Sequence, residues 1–306
     1  MKIIYQQFKF LLEFEHPTSI QMLPTFFIRS IIGLQLRKVV CLFRDRECGR
    51  CQIQHHCAYA LVFENPVSPE QSTLPGRNFA PHPFILVNPD IIPRRDNQLT
   101  FTLTLIGRAI QFFPYFFYAI KKGGEDGIFY NRMPFRIKSV SCDGLEMLLS
   151  EEELAAPPDN HLWMFDAKTQ QQWDQQLKIQ FVTPLRYKWR GKYQRQISYP
   201  ELINSIYRRM RMLTDFYGEP NGDSTEFRLE PKKQVKQNAT FRWKDYSRYS
   251  ARQRTSIKLG GIIGELNVKG TLSAQELALL RAGEIFHVGK NVGFGLGQIK
   301  IEAIED

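Results

Sequence analysis

The stretch Gly283-Glu284-Ile285-Phe286-His287-Val288-Gly289-Lys290-Asn291-Val292-Gly293-Phe294-Gly295-Leu296-Gly297 sets four glycines, 289, 293, 295 and 297, within nine residues. It follows a predicted helix at Ser273 to Ala282 and precedes a predicted strand at Ile299 to Ile304. Glycine reaches left-handed backbone angles and lets main-chain amides approach a ligand closely, so a loop of this composition suits a phosphate backbone. The spacing is not that of a nucleotide P-loop, and no strand leads in and no helix leads out as a dinucleotide fingerprint requires. A glycine-rich turn that only packs tightly against a sheet is the alternative.

Working back from this loop, Ile179 to Leu185 reads as a strand, Pro200 to Tyr217 as a helix, and Thr240 to Trp243 and Ile257 to Thr271 as two further strands. The first half reads the same way: a strand at Ile3 to Phe14, a helix at Pro24 to Val40, strands at Phe84 to Asn88 and Leu99 to Ile106, a helix around Arg108 to Lys121 and a strand at Phe135 to Cys142. Both halves give strand, helix, strand, strand, helix, strand, which is the ferredoxin-like (RRM-like) order of RNA-binding sheet domains. The expected class is therefore α+β with two tandem ferredoxin-like domains. Residues 1–143 form the first, with a cysteine-rich insertion at about 41–83. An acidic connector follows at 144–177, and the second domain occupies 178–306.

The chain has 306 residues, 43% of them hydrophobic and 13% aromatic, which is enough to fill two cores. No window holds 18 uninterrupted apolar residues, so no membrane partner is expected and the cytoplasm is the expected compartment. Between Arg186 and Lys258 stand 18 Lys and Arg against 7 Asp and Glu, a balance of +11 beside the whole-chain +10. Arg186, Lys188, Arg190 and Lys192 alternate with Tyr187, Trp189 and Tyr193, and extended chain would put the cations on one face to track a phosphate backbone. Arg208, Arg209 and Arg211 would extend that charge along a helix. Arg248 and Arg252 continue the basic segment, interleaved with Trp243, Tyr246 and Tyr249.

Cys41, Cys48, Cys51 and Cys57 place four of five cysteines inside 17 residues. Without an export signal, such density argues for thiolate ligation rather than disulfides. Structural zinc is the expected cofactor. An iron-sulfur cluster uses the same donors, and His55 or His56 could replace one thiol. Cys142 reads as an isolated buried thiol.

The glycine loop near the C-terminus of a chain with two ferredoxin-like units resembles the repeat-associated (RAMP) superfamily of CRISPR systems, and the chain is similar to its precursor-RNA-processing endoribonucleases. The stretches Phe181 to Arg186, Trp243 to Gln253, Leu259 to Gly264 and Leu105-Ile106-Gly107, with the cysteine insertion, carry the same resemblance in order. It implies an endoribonuclease that binds CRISPR repeat RNA and cuts the precursor transcript by attack of a 2′-hydroxyl. The products would be a 2′,3′-cyclic phosphate and a 5′-hydroxyl, and no catalytic metal would be needed. Other CRISPR-associated effector or adaptation proteins are the expected protein partners. A catalytically inert RNA-binding subunit of an effector complex is the alternative reading, and a metal-dependent nucleic-acid-binding regulator is a third.

Cleavage of this kind needs a base, an acid and a positive charge at the phosphorane. His287 opens the glycine loop with Lys290 three residues on, which makes them the first candidates. The resemblance implies a histidine in or near the first helix. The helix from Pro24 to Val40 has none, so His16, just before it, is the competitor. Tyr249 and Arg248 are candidates for orienting the phosphate, while Gly289, Gly293, Gly295 and Gly297 would approach the RNA backbone.

Overall fold

In β1 (Lys2–Ser19) the alternate residues Phe8, Phe10, Leu12 and Phe14 are buried, while Lys9 between them is exposed; this period of two makes one sheet face a core. The computed structural model describes residues 1–20, 22–43, 47–67, 79–88, 95–128, 131–150, 153–166, 168–169, 171–219, 235–250 and 255–304, except the side chains of Ser19, Arg95, Tyr249 and Ser250. The chain divides into two units, Ile4–Leu162 and Trp163–Asp306, the latter taking in Met1–Ile3.

In the first unit β1 pairs antiparallel with β3 (Arg95–Ile106) and β4 (Phe135–Cys142), setting Phe10 opposite Phe101 and Val140. Strands β2 (Phe84–Val87) and β5 (Leu145–Glu146) extend the order to β2-β3-β1-β4-β5. Helix α1 (Pro24–Val40) brings Ile28, Ile32 and Leu36 to the core, and α2 (Phe113–Asp126) brings Phe113, Phe116 and Ile120. The Phe113 ring stacks on Phe8 with centroids 3.6 Å apart. Each such side chain contributes about 1.5–3 kcal/mol on burial.

α2 begins later than expected because Pro114 suits only the first turn of a helix. Residues Gly107–Phe112 ahead of it form a 3-10 turn instead. The cysteine-rich insertion leaves the end of α1 and returns at β2. Among its described residues Ala60, Val62 and Asn65 are buried, Phe63 packs on Phe84, and Arg29 of α1 lies 2.9 Å from His82.

The second unit has β7 (Gln172–Leu185) at its centre, flanked by β13 (Gly261–Ser273) and β14 (Ile299–Ala303), with β10 (Lys236–Lys244) at the edge. The order is β10-β13-β7-β14, all antiparallel. Helices α3 (Tyr199–Tyr217) and α4 (Ala274–Phe286) supply Leu202, Ile206, Met210, Leu279 and Leu280 to its core. α4 starts at a capping box. The Ser273 amide donates to Glu276 Oε2 at 2.8 Å, and the Glu276 amide donates to Ser273 Oγ at 3.2 Å.

The expected connector at 144–177 is not a linker. It supplies β5, a strand β6 (His161–Met164) and the start of β7, Gln172 to Leu177, and the division between the units falls inside it. Gln172 and Asp174 pair along the backbone with Ser273 and Thr271 of β13, and ladder bonds of this kind need no apolar pattern. The single strand expected at Ile257 to Thr271 is broken at Leu259 and Gly260. One piece is β12 (Thr255–Lys258), which forms a hairpin with β11 (Ser247–Ser250), and the other is β13.

Candidate nucleic-acid interface

The glycine-rich loop hangs from the end of β7. Gly297 donates its amide to the Pro184 carbonyl at 3.1 Å, Lys290 to Arg186 at 3.1 Å, and Thr183 Oγ1 donates to Gly295 at 2.8 Å. Val288 closes the loop by donating to the Gly297 carbonyl at 2.8 Å. Gly297 sits at φ 73°, and a Cβ there would overlap the Val288 carbonyl oxygen. Gly289 sits at φ 86°, where a Cβ would meet the Arg186 carbonyl at 2.8 Å. Both glycines serve the loop's own packing, and Gly293, Gly295 and Gly297 are buried. Gly297→Ala combines a backbone clash with an unfavourable φ and is expected to destabilise the second unit by more than 1 kcal/mol, read as a lower thermal midpoint.

His287 does not present its ring to a phosphate. It is 1% exposed, and its Nδ1 lies 3.2 Å from the Leu296 carbonyl. Burial holds its pKa down to about 3, assisted by the nearby Arg209 charge and opposed by the Leu296 bond. The ring is therefore neutral at physiological pH, and the expectation of a loop-mouth acid or base is corrected to that of a buried pin. Its backbone, at φ 55° and ψ 171°, lies in a region other residues than glycine rarely occupy. Such strain persists only where the surroundings impose it.

A sign follows for stability. In the unfolded chain a histidine takes up a proton near pH 6.5, while His287 in the fold resists until about pH 3. Stability is therefore full above pH 6.5 and falls as pH drops from there toward 3. His287→Gln, which cannot titrate, is expected to lose this slope. Thermal melts of both proteins between pH 7 and pH 4 measure it.

The run 186–193 forms a hairpin, β8 (Lys188–Trp189) with β9 (Lys192–Tyr193), turning at Arg190 and Gly191, both at positive φ. Lys188 is opposite Tyr193 and Trp189 opposite Lys192, so the cations do not share one face as a single extended strand would arrange them. Lys188, Arg190 and Lys192 are exposed at the hairpin tip beside the half-exposed rings of Trp189 and Tyr193. Arg186 is 8% exposed instead: its Nη1 donates to the Gly260 carbonyl at 2.8 Å and its guanidinium lies 4.3 Å over the Tyr193 ring. It braces the hairpin on the start of β13.

Arg248 of β11 stacks 4.3 Å over Phe294 in the glycine loop, joining the second hairpin to it. Arg195 lies 5.4 Å over Trp243, Lys244 5.4 Å over Tyr246, and Lys290 is exposed on the loop. The second unit thus joins a glycine loop to two hairpins that carry exposed cations and aromatic rings. Arg208 and Arg211 are exposed on α3, whereas Arg209 is buried and donates from Nε to the Phe286 carbonyl at 2.7 Å. Burial lowers its pKa to about 10, so it stays charged at the C-terminal end of α4. Its alternation with two exposed arginines gave no sign of this role.

Among the remaining candidates, His16 is exposed near the end of β1 in the first unit. Tyr249 lies in β11 with its side chain outside the described residues, as is the whole of Arg252. A contact absent from the sequence reading joins His161 to Asp143 at 2.7 Å in the first unit.

Cys41, Cys48, Cys51 and Cys57 line one small cavity with Phe43, Ile53 and Tyr59, and all are free thiols. Burial pushes the Cys48 thiol up, with further contributions from Glu64, Cys41 and Cys57. Among the described residues no group of three or more His, Cys, Asp or Glu stands close enough to hold a metal ion as placed. The donor set fits zinc in kind and number, but its geometry is open. Cys142 is buried with its pKa pushed up to about 11, chiefly by burial. No helix among the described residues is long and apolar enough to cross a membrane.

The fold and this surface define a class: two antiparallel α+β units, the second carrying a glycine-rich loop ahead of its last strand. Residues 3–160 match the family model of the AF_1859_N N-terminal domain, and residues 179–299 match that of the CRISPR-associated endoribonuclease Cas6. Over its first half the chain belongs to the AF_1859_N family, and its residues 179–299 are similar to the CRISPR-associated endoribonuclease Cas6. A Cas6 (TTHB231) product complex is similar in fold, with TM-score 0.53 and 15% identity over 98% of this chain and 99% of that one. A second structure, Thermus thermophilus Cas6 (TTHB231), gives TM-score 0.49 and 16% identity over 98% and 99%. A partial Cas6-RT-Cas1-Cas2 complex gives TM-score 0.55 and 11% identity over 99% of this chain but 46% of that longer one. No curated protein matches the sequence.

Proposed function

We propose that the chain binds CRISPR repeat RNA on the cationic surface of its second unit and cuts the precursor transcript into guide units. Both units act in this reading as ferredoxin-like RNA-binding modules. The observation that carries it is the docking of the glycine loop onto the two hairpins through Arg186 and Arg248, with Lys188, Arg190 and Lys192 exposed on one hairpin and Lys290 exposed on the loop. Exposed cations pair with phosphates, and the open rings of Trp189 and Tyr193 offer stacking faces for bases. The nucleophile is the RNA's own 2′-hydroxyl, giving a 2′,3′-cyclic phosphate and a 5′-hydroxyl without a catalytic metal. Effector or adaptation proteins of the CRISPR system are the partners, and the cytoplasm is the site of action.

In the same reading Cys41, Cys48, Cys51 and Cys57 close on one structural zinc ion. Tetrahedral thiolate ligation would hold an insertion that has few core residues of its own. The inert RNA-binding subunit keeps one observation in its favour, the burial of His287. Incubating the protein with repeat RNA in buffer free of added divalent metal, then mapping product ends, decides between them. A single cut with 2′,3′-cyclic phosphate ends is expected; tight binding with no cut would establish the inert subunit.

A further inference from the structure

At the turn between β4 and β5 in the first unit, four side chains outside the cationic surface converge. His161 lies with Nε2 2.7 Å from Asp143 Oδ1. A carboxylate only accepts, so Nε2 carries the hydrogen and the neutral ring keeps its lone pair on Nδ1. The imidazole stacks on Tyr5 of β1, with centroids 5.2 Å apart and planes 26° from parallel. The other oxygen of Asp143 accepts from Gln6 Nε2 at 3.5 Å. That same amide lies 3.4 Å from the Pro158 carbonyl and 3.5 Å from the Asp159 carbonyl, two residues ahead of His161.

Gln6 is fully buried, and a polar amide in a strand core has a desolvation cost that only such bonds offset. It ties the turn and the approach to His161 together. Asp143 and Gly144, at φ 51° and 80°, form a two-residue hairpin turn, so the carboxylate leaves a fixed backbone. His161 and Asp143 themselves stay 40% and 35% exposed. A contact so open to water adds little stability, yet it is held from three sides. A histidine with an orienting carboxylate and a ring platform, its side chain still 40% exposed, is arranged as a proton-transfer group.

We infer that His161, oriented by Asp143, is the base of RNA cleavage in this chain, an inference that rests on the reading of the chain as a repeat-processing ribonuclease. Nδ1 takes the proton of the 2′-hydroxyl as the 2′-oxygen bonds to phosphorus. The bond from phosphorus to the 5′-oxygen breaks, and that oxygen takes a proton from water. The ring then returns its proton to the hydroxide so formed. Asp143 is a positioning residue in this step. Burial and the charge of Asp143 raise the Tyr5 pKa, so the phenol stays neutral beneath the ring.

Single-turnover cleavage of repeat RNA by the full chain, with affinity measured in parallel, tests this. His161→Ala and His161→Gln are expected to cut about 10²- to 10⁴-fold more slowly with near-normal affinity. Asp143→Asn, which favours the wrong tautomer, should lose less. Added imidazole is expected to restore part of the rate to His161→Ala, which a merely structural residue would not allow. If the unaltered chain cuts and both His161 variants cut equally fast, or lose rate only in step with lost folding or affinity, this inference is wrong. If the unaltered chain binds repeat RNA and cuts none, the reading it rests on falls first and takes the inference with it.

Discussion

Replacing Lys188, Arg190 and Lys192 together with glutamine is expected to weaken repeat-RNA binding about 100-fold at 0.1 M salt. Each phosphate neutralised on a single strand contributes a slope of about −0.7 in log affinity against log salt, so three lost contacts flatten it by roughly two units. At 0.1 M that is about two decades of affinity. The three side chains are exposed on a hairpin whose fold depends on Arg186, Gly191 and Tyr193, so their removal should leave the thermal midpoint unchanged. Arg186→Gln is a different experiment. Its guanidinium is buried against Tyr193 and Gly260, so that variant should lose stability as well as affinity. An unchanged salt slope in the triple variant would move the RNA to another face.

Stripping the zinc proposed for the cysteine cluster, or Cys51→Ser, is expected to have the largest effect on stability. Structural zinc sites in small peptides carry about 10–16 kcal/mol of apparent binding free energy at neutral pH, all of it coupled to folding. Losing even about 4 kcal/mol from a unit of this size would lower its midpoint by roughly 10 °C. The four thiols lie on the stretch before the buried anchors Ala60, Val62 and Asn65, so without metal protease should cut around residues 41–57 before elsewhere. Elemental analysis separates zinc from iron and should give one metal ion per chain. Neither zinc nor iron in the native protein would end the metal proposal.

The element order was legible because its signals are local. α1 runs over the same residues that helical spacing predicts, and β4 over the same residues that alternation predicts. Polar ladder residues such as Gln172 and Asp174 hid the start of β7, since backbone pairing leaves no mark on side-chain type. The site was legible in its parts and not in their orientation. Alternating cations predicted a basic surface, but a turn at Arg190 and Gly191 folded it into a hairpin and sent Arg186 inward. The position of His287 at the loop mouth gave no hint that α4 ends by turning its ring into the core. His161 and Asp143 are eighteen residues apart along the chain and meet only through a two-residue turn and the pairing of β6 with β1.

RNA held on the glycine loop and hairpins of the second unit is the core of the proposed function. Photocrosslinking a repeat RNA to the full chain, followed by mass spectrometry of the linked peptides, tests this placement. Adducts are expected at 188–193 and 289–294, with Trp189 and Tyr193 foremost because their rings are open to bases. Adducts confined to residues 4–162, with none on the hairpin or the loop, would contradict it.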